Sequence, residues 1–395
     1  MNTAEAELLK ILSCALFKSE YQLNERIDYN KVLTEANAQA VLGLVYPIVK
    51  SAPSLRPEWQ EQFFVTVMQN AAIETGHTEI HRILTSEKLS YVTIKGCASA
   101  SYYPEPNLRC MGDVDFLVKE SDYEKAQALL LENGFTSAHE DSSERHKSFS
   151  KNNLLYELHI RVGGIPKGAI GELCKKKLSG MMDSEIILST DSGDFYVPNV
   201  YHHGLVILLH AVGHITSTGI GLRHVCDWAV FVNSMTEERF LHLFQSDLEE
   251  IGLWKFAKIL TALCSVYLGM PEKQFAKGVD KSLIENMIED ILSGGNFGKK
   301  DKDRYHGSML MSGDKNTGMV KNIFHTLNNR AKKRMPVIKK APVLLPVGWI
   351  YVGVNHLVMM AKGERPKVKL KQTLKKTADR KDLIKQYYLF ENKEF

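Results

Sequence analysis

Two kinds of hydrophobic spacing divide this chain, and the division limits its possible folds more than any other feature. Apolar residues recur at helical spacing through AELLKILSCALF, VLTEANAQAVLGLVYPIV and WQEQFFVTVMQNAAIETGHTEIHRIL, punctuated by Pro47, Pro53 and Pro57. Residues from about Thr3 to Leu89 are therefore expected to be helical. The helical period returns from about Asn199, through HHGLVILLHAVGHI, LRHVCDWAVFVNS, TEERFLHLFQSDLEEIG and WKFAKILTALCSVYLG. Between them lies a block of short β-rich runs. The fold class this predicts is α+β, a mixed sheet with its own helices flanked by helical N- and C-terminal regions.

Inside the block, YVTIKG reads as a strand, CASASYY as one or two helical turns, and PEPNLRCMG as a loop. DVDFLV alternates polar and apolar residues, which predicts a strand with Asp113 and Asp115 on one face and Val114 and Phe116 on the other. SDYEKAQALLLENG then reads as a helix capped by Ser121, with Glu124 three residues on and Gly134 at its stop. FTSAHE, RHKSFSK and LLYELHIRV predict an antiparallel meander on one edge of the sheet, and FYVP predicts a later strand.

The expected organisation is a helical region over 1–84, an α+β core over 85–198, a helical domain over 199–293 and a basic, mainly helical region over 294–395. With 395 residues, 44% hydrophobic and 24% charged, the chain is long enough for more than one core and falls outside collagenous or disordered compositions. Six cysteines form no CxxC pair, and MNTAEAELLKILS has neither a basic n-region nor a cleavage site, so a cytoplasmic location is expected. The net charge of +4 hides an asymmetry: Lys321 to Lys381 holds 16 Lys or Arg against Glu364 and Asp379, an excess of about +14, leaving about −10 elsewhere. Such a segment suits phosphate, nucleic acid or anionic lipid, or a solvated helix face.

Chemistry is concentrated between Gly96 and Val118. Two carboxylates at i and i+2 of a strand can share a divalent metal. Gly96 stands where a strand passes into a helix, a place for backbone N–H groups to meet phosphate. Arg109 lies in the loop before the Asp-x-Asp strand, within reach of a triphosphate. Glu157, in YELHIRV, can supply a third carboxylate if its strand pairs beside the first. Three carboxylates holding two metals suffice for in-line attack at phosphorus, one metal lowering the pKa of the attacking hydroxyl and one stabilising leaving pyrophosphate.

The run IKGCASASYYPEPNLRCMGDVDFLV, the helix ending ENGF and the strand YELHIRV together resemble the bacterial uncharacterised nucleotidyltransferases of the DNA polymerase β-like superfamily. LLHAVGHITSTGIGLRHVCDWAVFV, with two His and an LRxxxD motif, SGGNFG and APVLLPVGWIY extend the resemblance from about residue 30 towards the C-terminus. It implies Mg²⁺, with Mn²⁺ as a substitute, at Asp113, Asp115 and Glu157, the last more often Asp in the family. It also implies an NTP, ATP as the first expectation, held by Lys95, Gly96, Ser99, Arg109 and His159. The superfamily's Gly-Ser pair is here Gly96-Cys97, with Ser99 and Ser101 as substitutes for the hydroxyl. The implied activity is transfer of a nucleoside monophosphate to a hydroxyl-type acceptor on a protein, sugar or small molecule, with release of pyrophosphate.

Other readings stay beside this one. The chain can be a non-catalytic accessory protein that keeps the fold, in surface polysaccharide or peptide modification. It can also be a metal hydrolase built on His203, His210 and His214, which share a helix face, although Asp227, the nearest acid, is explained as well by an i,i+4 pair with Arg223. By alternation Lys95 faces either the triphosphate or solvent, whereas His159 shares the face of Glu157. No nucleic-acid recognition motif with interleaved aromatics occurs. Ala341 to Ala361 carries no formal charge, but Pro342, Pro346, Gly348 and Gly353 are expected to interrupt it. With Lys332, Lys333, Arg334, Lys339 and Lys340 before it and KVKLK after it, it predicts a buried or interfacial element able to touch an anionic membrane.

Overall fold

The computed structural model describes residues 1–138, 146–301, 304, 327, 328, 331, 332, 334, 335, 337–361 and 370–391. Four helices open the chain: α1 (Thr3–Phe17), α2 (Tyr29–Ala38), α3 (Leu42–Val49) and α4 (Glu58–Ser86). Asn2 and Glu5 form a capping box at α1, and the Asp28 carboxylate caps α2, each satisfying N–H groups that a helix start leaves open.

The main sheet contains β1 (Tyr91–Thr93), β2 (Val114–Val118), β3 (Thr136–Ser137), β4 (His146–Lys151) and β5 (Leu154–His159), in the order β1-β2-β5-β4-β3. β2 and β5 are parallel and every other pair is antiparallel, so the meander expected on one edge is present. The latter part of FTSAHE and the DSSE turn lie outside the described residues. All five residues of β2 are buried, because helices cover the sheet. Gly76 lets α4 lie close on it: a Cβ there would sit 2.9 Å from Val114 Cγ2 and 3.1 Å from the Tyr156 hydroxyl.

Short helices α5 (Gly96–Ala100), α6 (Tyr123–Glu132) and α7 (Ala169–Lys177) belong to this block, as does a hairpin of β6 (Ile186–Thr190) and β7 (Gly193–Val197). Ser121 does not cap α6. A 3-10 turn over Glu120–Asp122 comes first, and the helix starts one residue later than the Ser-x-x-Glu pattern predicts, with Asp122 in the cap position. The sequence reading also passed over α7 and β6.

The second helical part runs α8 (Val200–Ile215), α9 (Leu222–Asn233), α10 (Glu237–Glu250), α11 (Trp254–Leu268) and α12 (Lys281–Gly294). Packing does not follow chain order. One apolar cluster joins α1, α2 and α3 to α8, α9, α11 and α12, whereas a second gathers the sheet with Ile73, Ile80, Ile83 and Leu84 of α4. Loop and helix also meet closely at Gly164 (φ 81°), where a Cβ would lie 1.8 Å from the Leu209 carbonyl oxygen, so this turn after β5 tolerates only glycine.

Among the described residues no helix is long and apolar enough to cross a membrane. The uncharged segment forms one helix, α13 (Leu345–Ala361), followed by α14 (Leu370–Lys385). Its prolines and glycines do not interrupt it: Pro342 lies in a preceding 3-10 turn and Pro346 in the first turn, where a missing N–H is tolerated. Gly348 packs against Ile338 and Ala331.

Candidate active site

β2 and β5 place the expected acids together. Their parallel register sets Asp115 directly beside Glu157 and Leu117 beside His159, while β4 holds the other edge of β5 with Ser148 opposite Glu157. Asp113 stands just before the first paired residue of β2. Asp113, Asp115 and Glu157 each offer an oxygen, and the three lie within 4.8 Å of one another.

Asp115 is the buried centre of the group. It accepts Lys95 Nζ at 2.7 Å and His159 Nε2 at 2.7 Å, and the same His159 nitrogen lies 3.1 Å from Glu157 Oε2. Burial alone would raise the Asp115 carboxyl, but Lys95 and His159 outweigh it and hold that carboxyl well below the usual range. Asp113 has no such contact. Burial, and then the Asp115 charge, pushes it up to about 7. Burial opposes the charge of His159 too, yet its bonds to Asp115 and Glu157 raise it above the ordinary imidazole value.

Lys95 therefore faces the acids, not solvent. Its backbone takes φ 63° and ψ −140° at the corner between β1 and α5, and Gly96 follows at φ 33°. A non-glycine residue at positive φ carries strain that the surrounding fold must hold in place. Beneath the corner His77 is fully buried, its Nδ1 3.2 Å from Thr93 Oγ1 and its Nε2 without a partner among the described residues; burial lowers it to about 4.

Two expected phosphate contacts are occupied elsewhere. Arg109 lines the cavity, but its Nε and Nη2 each donate at 2.7 Å to the two oxygens of Asp227, which also accepts the Tyr103 hydroxyl at 2.7 Å. A cation this deeply buried needs a carboxylate, and Asp227 pairs with Arg109 rather than with Arg223, the partner expected for it. Ser99 points to the buried side of α5, its Oγ 3.3 Å from His203 Nε2, and Ser101 bonds its own helix at the Ala98 carbonyl. Both hydroxyls are thus engaged within the fold.

The acids open into a cavity of about 500 Å³ whose sheet wall includes Lys95, Gly96, His146 and His159. Its helical wall carries His210 and His214 of α8, Arg223 and His224 of α9, and Phe297. The helix face read from the sequence thus splits: His203 packs against Tyr102 and Phe231, whereas His210 and His214 reach the cavity. Arg223, His224, His146 and Phe297 were missed as cavity residues. For His146 alone a signal was available, since alternation along RHKSFSK sets it on one face with Ser148, opposite Glu157.

A hard, all-oxygen donor set fits Mg²⁺ or Mn²⁺, and Lys95 with His159 shows that the site already draws positive charge. The mixed sheet, the paired acids on adjacent strands and the glycine corner together define the nucleotidyltransferase class. Residues 25–269 match the family described as uncharacterised nucleotidyltransferase, and the chain belongs to that family. The match ends before SGGNFG and APVLLPVGWIY. None of the curated proteins compared matches the chain.

Proposed function

We propose that the chain transfers a nucleoside monophosphate from an NTP, ATP in the first instance, to a hydroxyl-type acceptor and releases pyrophosphate. The observation that supports it best is the in-register pairing of Asp115 with Glu157, with Asp113 close enough for all three to hold one cluster of ions. Mg²⁺ held by Asp113, Asp115 and Glu157 would acidify the acceptor hydroxyl and neutralise the leaving pyrophosphate. The chain's own groups do the rest. Main-chain pairing on both edges of β5 fixes Glu157, which would bind the metal on the acceptor side or accept the hydroxyl proton. His159 orients Asp115 and Glu157 at once, and Gly96 lines the cavity at the corner where the nucleotide phosphates would meet the backbone.

Calorimetric titration of the four NTPs with and without Mg²⁺, on wild type and on Asp113→Asn/Asp115→Asn, tests this reading. Metal-dependent binding by wild type that the double variant loses supports it. Failure of folded wild type to bind any NTP would move the accessory-protein reading ahead. The hydrolase reading gains nothing from Asp227, which is committed to Arg109.

We also propose that α13 rests on an anionic membrane. Val347, Ile350, Tyr351, Val354 and Val358 are all exposed and repeat at helical spacing along one face, and Val343 in the preceding 3-10 turn is exposed too. The segment around them carries the excess of about +14, which suits anionic headgroups better than an apolar protein groove. Of the flanking cations Arg334 is exposed and Lys332 half-buried; Lys333, the Lys339 and Lys340 side chains and most of KVKLK lie outside the described residues. Flotation with phosphatidylserine vesicles at low salt is expected, lost on charge reversal at Lys332, Lys333 and Arg334. No flotation at low salt would remove the membrane proposal.

A further inference from the structure

Arg223 and His224 open α9 on the helical wall of the cavity, across from the acids. His224 is 3% exposed, and its Nδ1 accepts the Gly221 N–H at 3.3 Å. The proton of the neutral ring is thus on Nε2, which is buried and meets no acceptor among the described residues. Arg223 donates from one Nη to the Cys110 carbonyl at 3.2 Å, while its buried Nε has no partner among the described residues. No carboxylate among the described residues pairs with it, since Asp227, one turn on, is held by Arg109.

A cation in the first turn of a 12-residue helix faces the positive end of the helix dipole, an arrangement that an anion would relieve. Phe297 braces it. The Arg223 guanidinium lies 5.3 Å from the centre of that ring, which also packs tilted against His214 at 4.6 Å between ring centres. Phe297 holds this place at φ 57°, a conformation a bulky residue rarely adopts, so the SGGNFG turn is strained towards the cavity.

We propose that Arg223 and His224 form an oxyanion subsite in the cavity, facing the acids of the sheet wall and taking a phosphate-class group. Resting on the nucleotidyl-transfer reading, the proposal makes the β- and γ-phosphates of the NTP the first source and a phosphate on the acceptor the second. Burial and neighbouring cations hold His210 and His224 well below the ordinary imidazole value, so at neutral pH both are uncharged and Arg223 carries the positive charge. The tautomer also opposes the other use of this wall, a transition ion shared by His210, His214 and His224, whose nitrogens lie within 4.8 Å of one another. A lone pair on His224 Nε2 would put a proton on Nδ1, against the Gly221 N–H.

ATP, AMP, inorganic pyrophosphate and inorganic phosphate are titrated in Mg²⁺ against wild type, Arg223→Gln, Arg223→Lys and His224→Gln, with folding checked by circular dichroism. Arg223→Gln is expected to weaken ATP and pyrophosphate by about tenfold or more. AMP should be unmoved, and Lys should recover part of the loss. Unchanged ATP binding with loss of inorganic phosphate that otherwise binds beside ATP assigns the subsite to the acceptor. Wild-type affinities for all four probes in folded Arg223→Gln overturn the proposal. Should that variant not fold, wild-type crystals soaked in tungstate decide: anomalous density at Arg223 and His224 supports the subsite, and its absence overturns it. The proposals fail separately. No NTP binding by wild type sinks nucleotidyl transfer while the tungstate result still stands, and loss of NTP binding in the aspartate variants, with all four probes bound by Arg223→Gln as by wild type, sinks the subsite alone.

Discussion

Asp113→Asn and Asp115→Asn, made separately, are expected to shift the stability of the metal-free protein in opposite directions while both lose Mg²⁺-dependent nucleotide binding. Asp113 is crowded: burial and the Asp115 charge raise it to about 7. Its unfolded carboxyl titrates near 3.9, so the folded state loses stability as pH rises from about 4 to about 7 and remains penalised above that. Removing the charge should therefore stabilise the protein at pH 8 by on the order of 2 kcal/mol, allowing for solvent screening of a partly exposed group. The gap should close as pH falls from about 7 towards 4.

Asp115 is the reverse case. Its folded value is depressed, so its stabilisation is present above the unfolded carboxyl value and is lost only as pH falls below it. With Asn there, Lys95 and His159 face each other with no central counter-charge. His159 can shed its proton, but Lys95 cannot at pH 8, and a loss of roughly 3 kcal/mol is expected. Thermal unfolding in EDTA at pH 8 and pH 5 measures both. If Asp113→Asn is the less stable variant at pH 8, the charge balance assigned to this pair is wrong.

Asp227→Ala should be the most damaging single change outside the acid cluster. It strands the Arg109 guanidinium, 5% exposed, and leaves the Tyr103 hydroxyl without its acceptor. Removing one partner of a buried pair costs about 3 to 5 kcal/mol, whereas replacing both by apolar groups costs far less. Urea unfolding of Asp227→Ala, Arg109→Met and Arg109→Met/Asp227→Leu checks this. The double variant should be more stable than Asp227→Ala, and strictly additive losses would mean that the pair is not coupled.

The acids were legible because strand alternation and parallel pairing are local rules: two carboxylates at i and i+2 share a face, and a third on a neighbouring strand can join them. What the alternation did not show is that Asp113 precedes the ladder, so that one acid is pinned by two cations and the other is crowded. The partner of Asp227 was misassigned for a different reason, since that carboxylate belongs to Arg109. Its partner lies 118 positions away, and the local i,i+4 rule gave Asp227 to Arg223 instead. Once Arg109 takes Asp227, Arg223 becomes the spare cation, a result no spacing shows. The three His on α8 likewise share a face in sequence but not a destination, because α5 and α9 fill the space beside His203. Ser121 failed as a cap because a 3-10 turn consumed the residues it would have started.

α9 is one rigid rod that carries Asp227, bonded to the loop before β2, and Arg223 one turn earlier at the cavity. The helical half cannot swing away from the sheet without tearing out a bidentate buried ion pair. Nucleotide is therefore expected to enter and leave through a mouth of constant width. Its arrival would follow a single diffusive step that rises linearly with concentration, and its residence time would be set by how fast the phosphates let go.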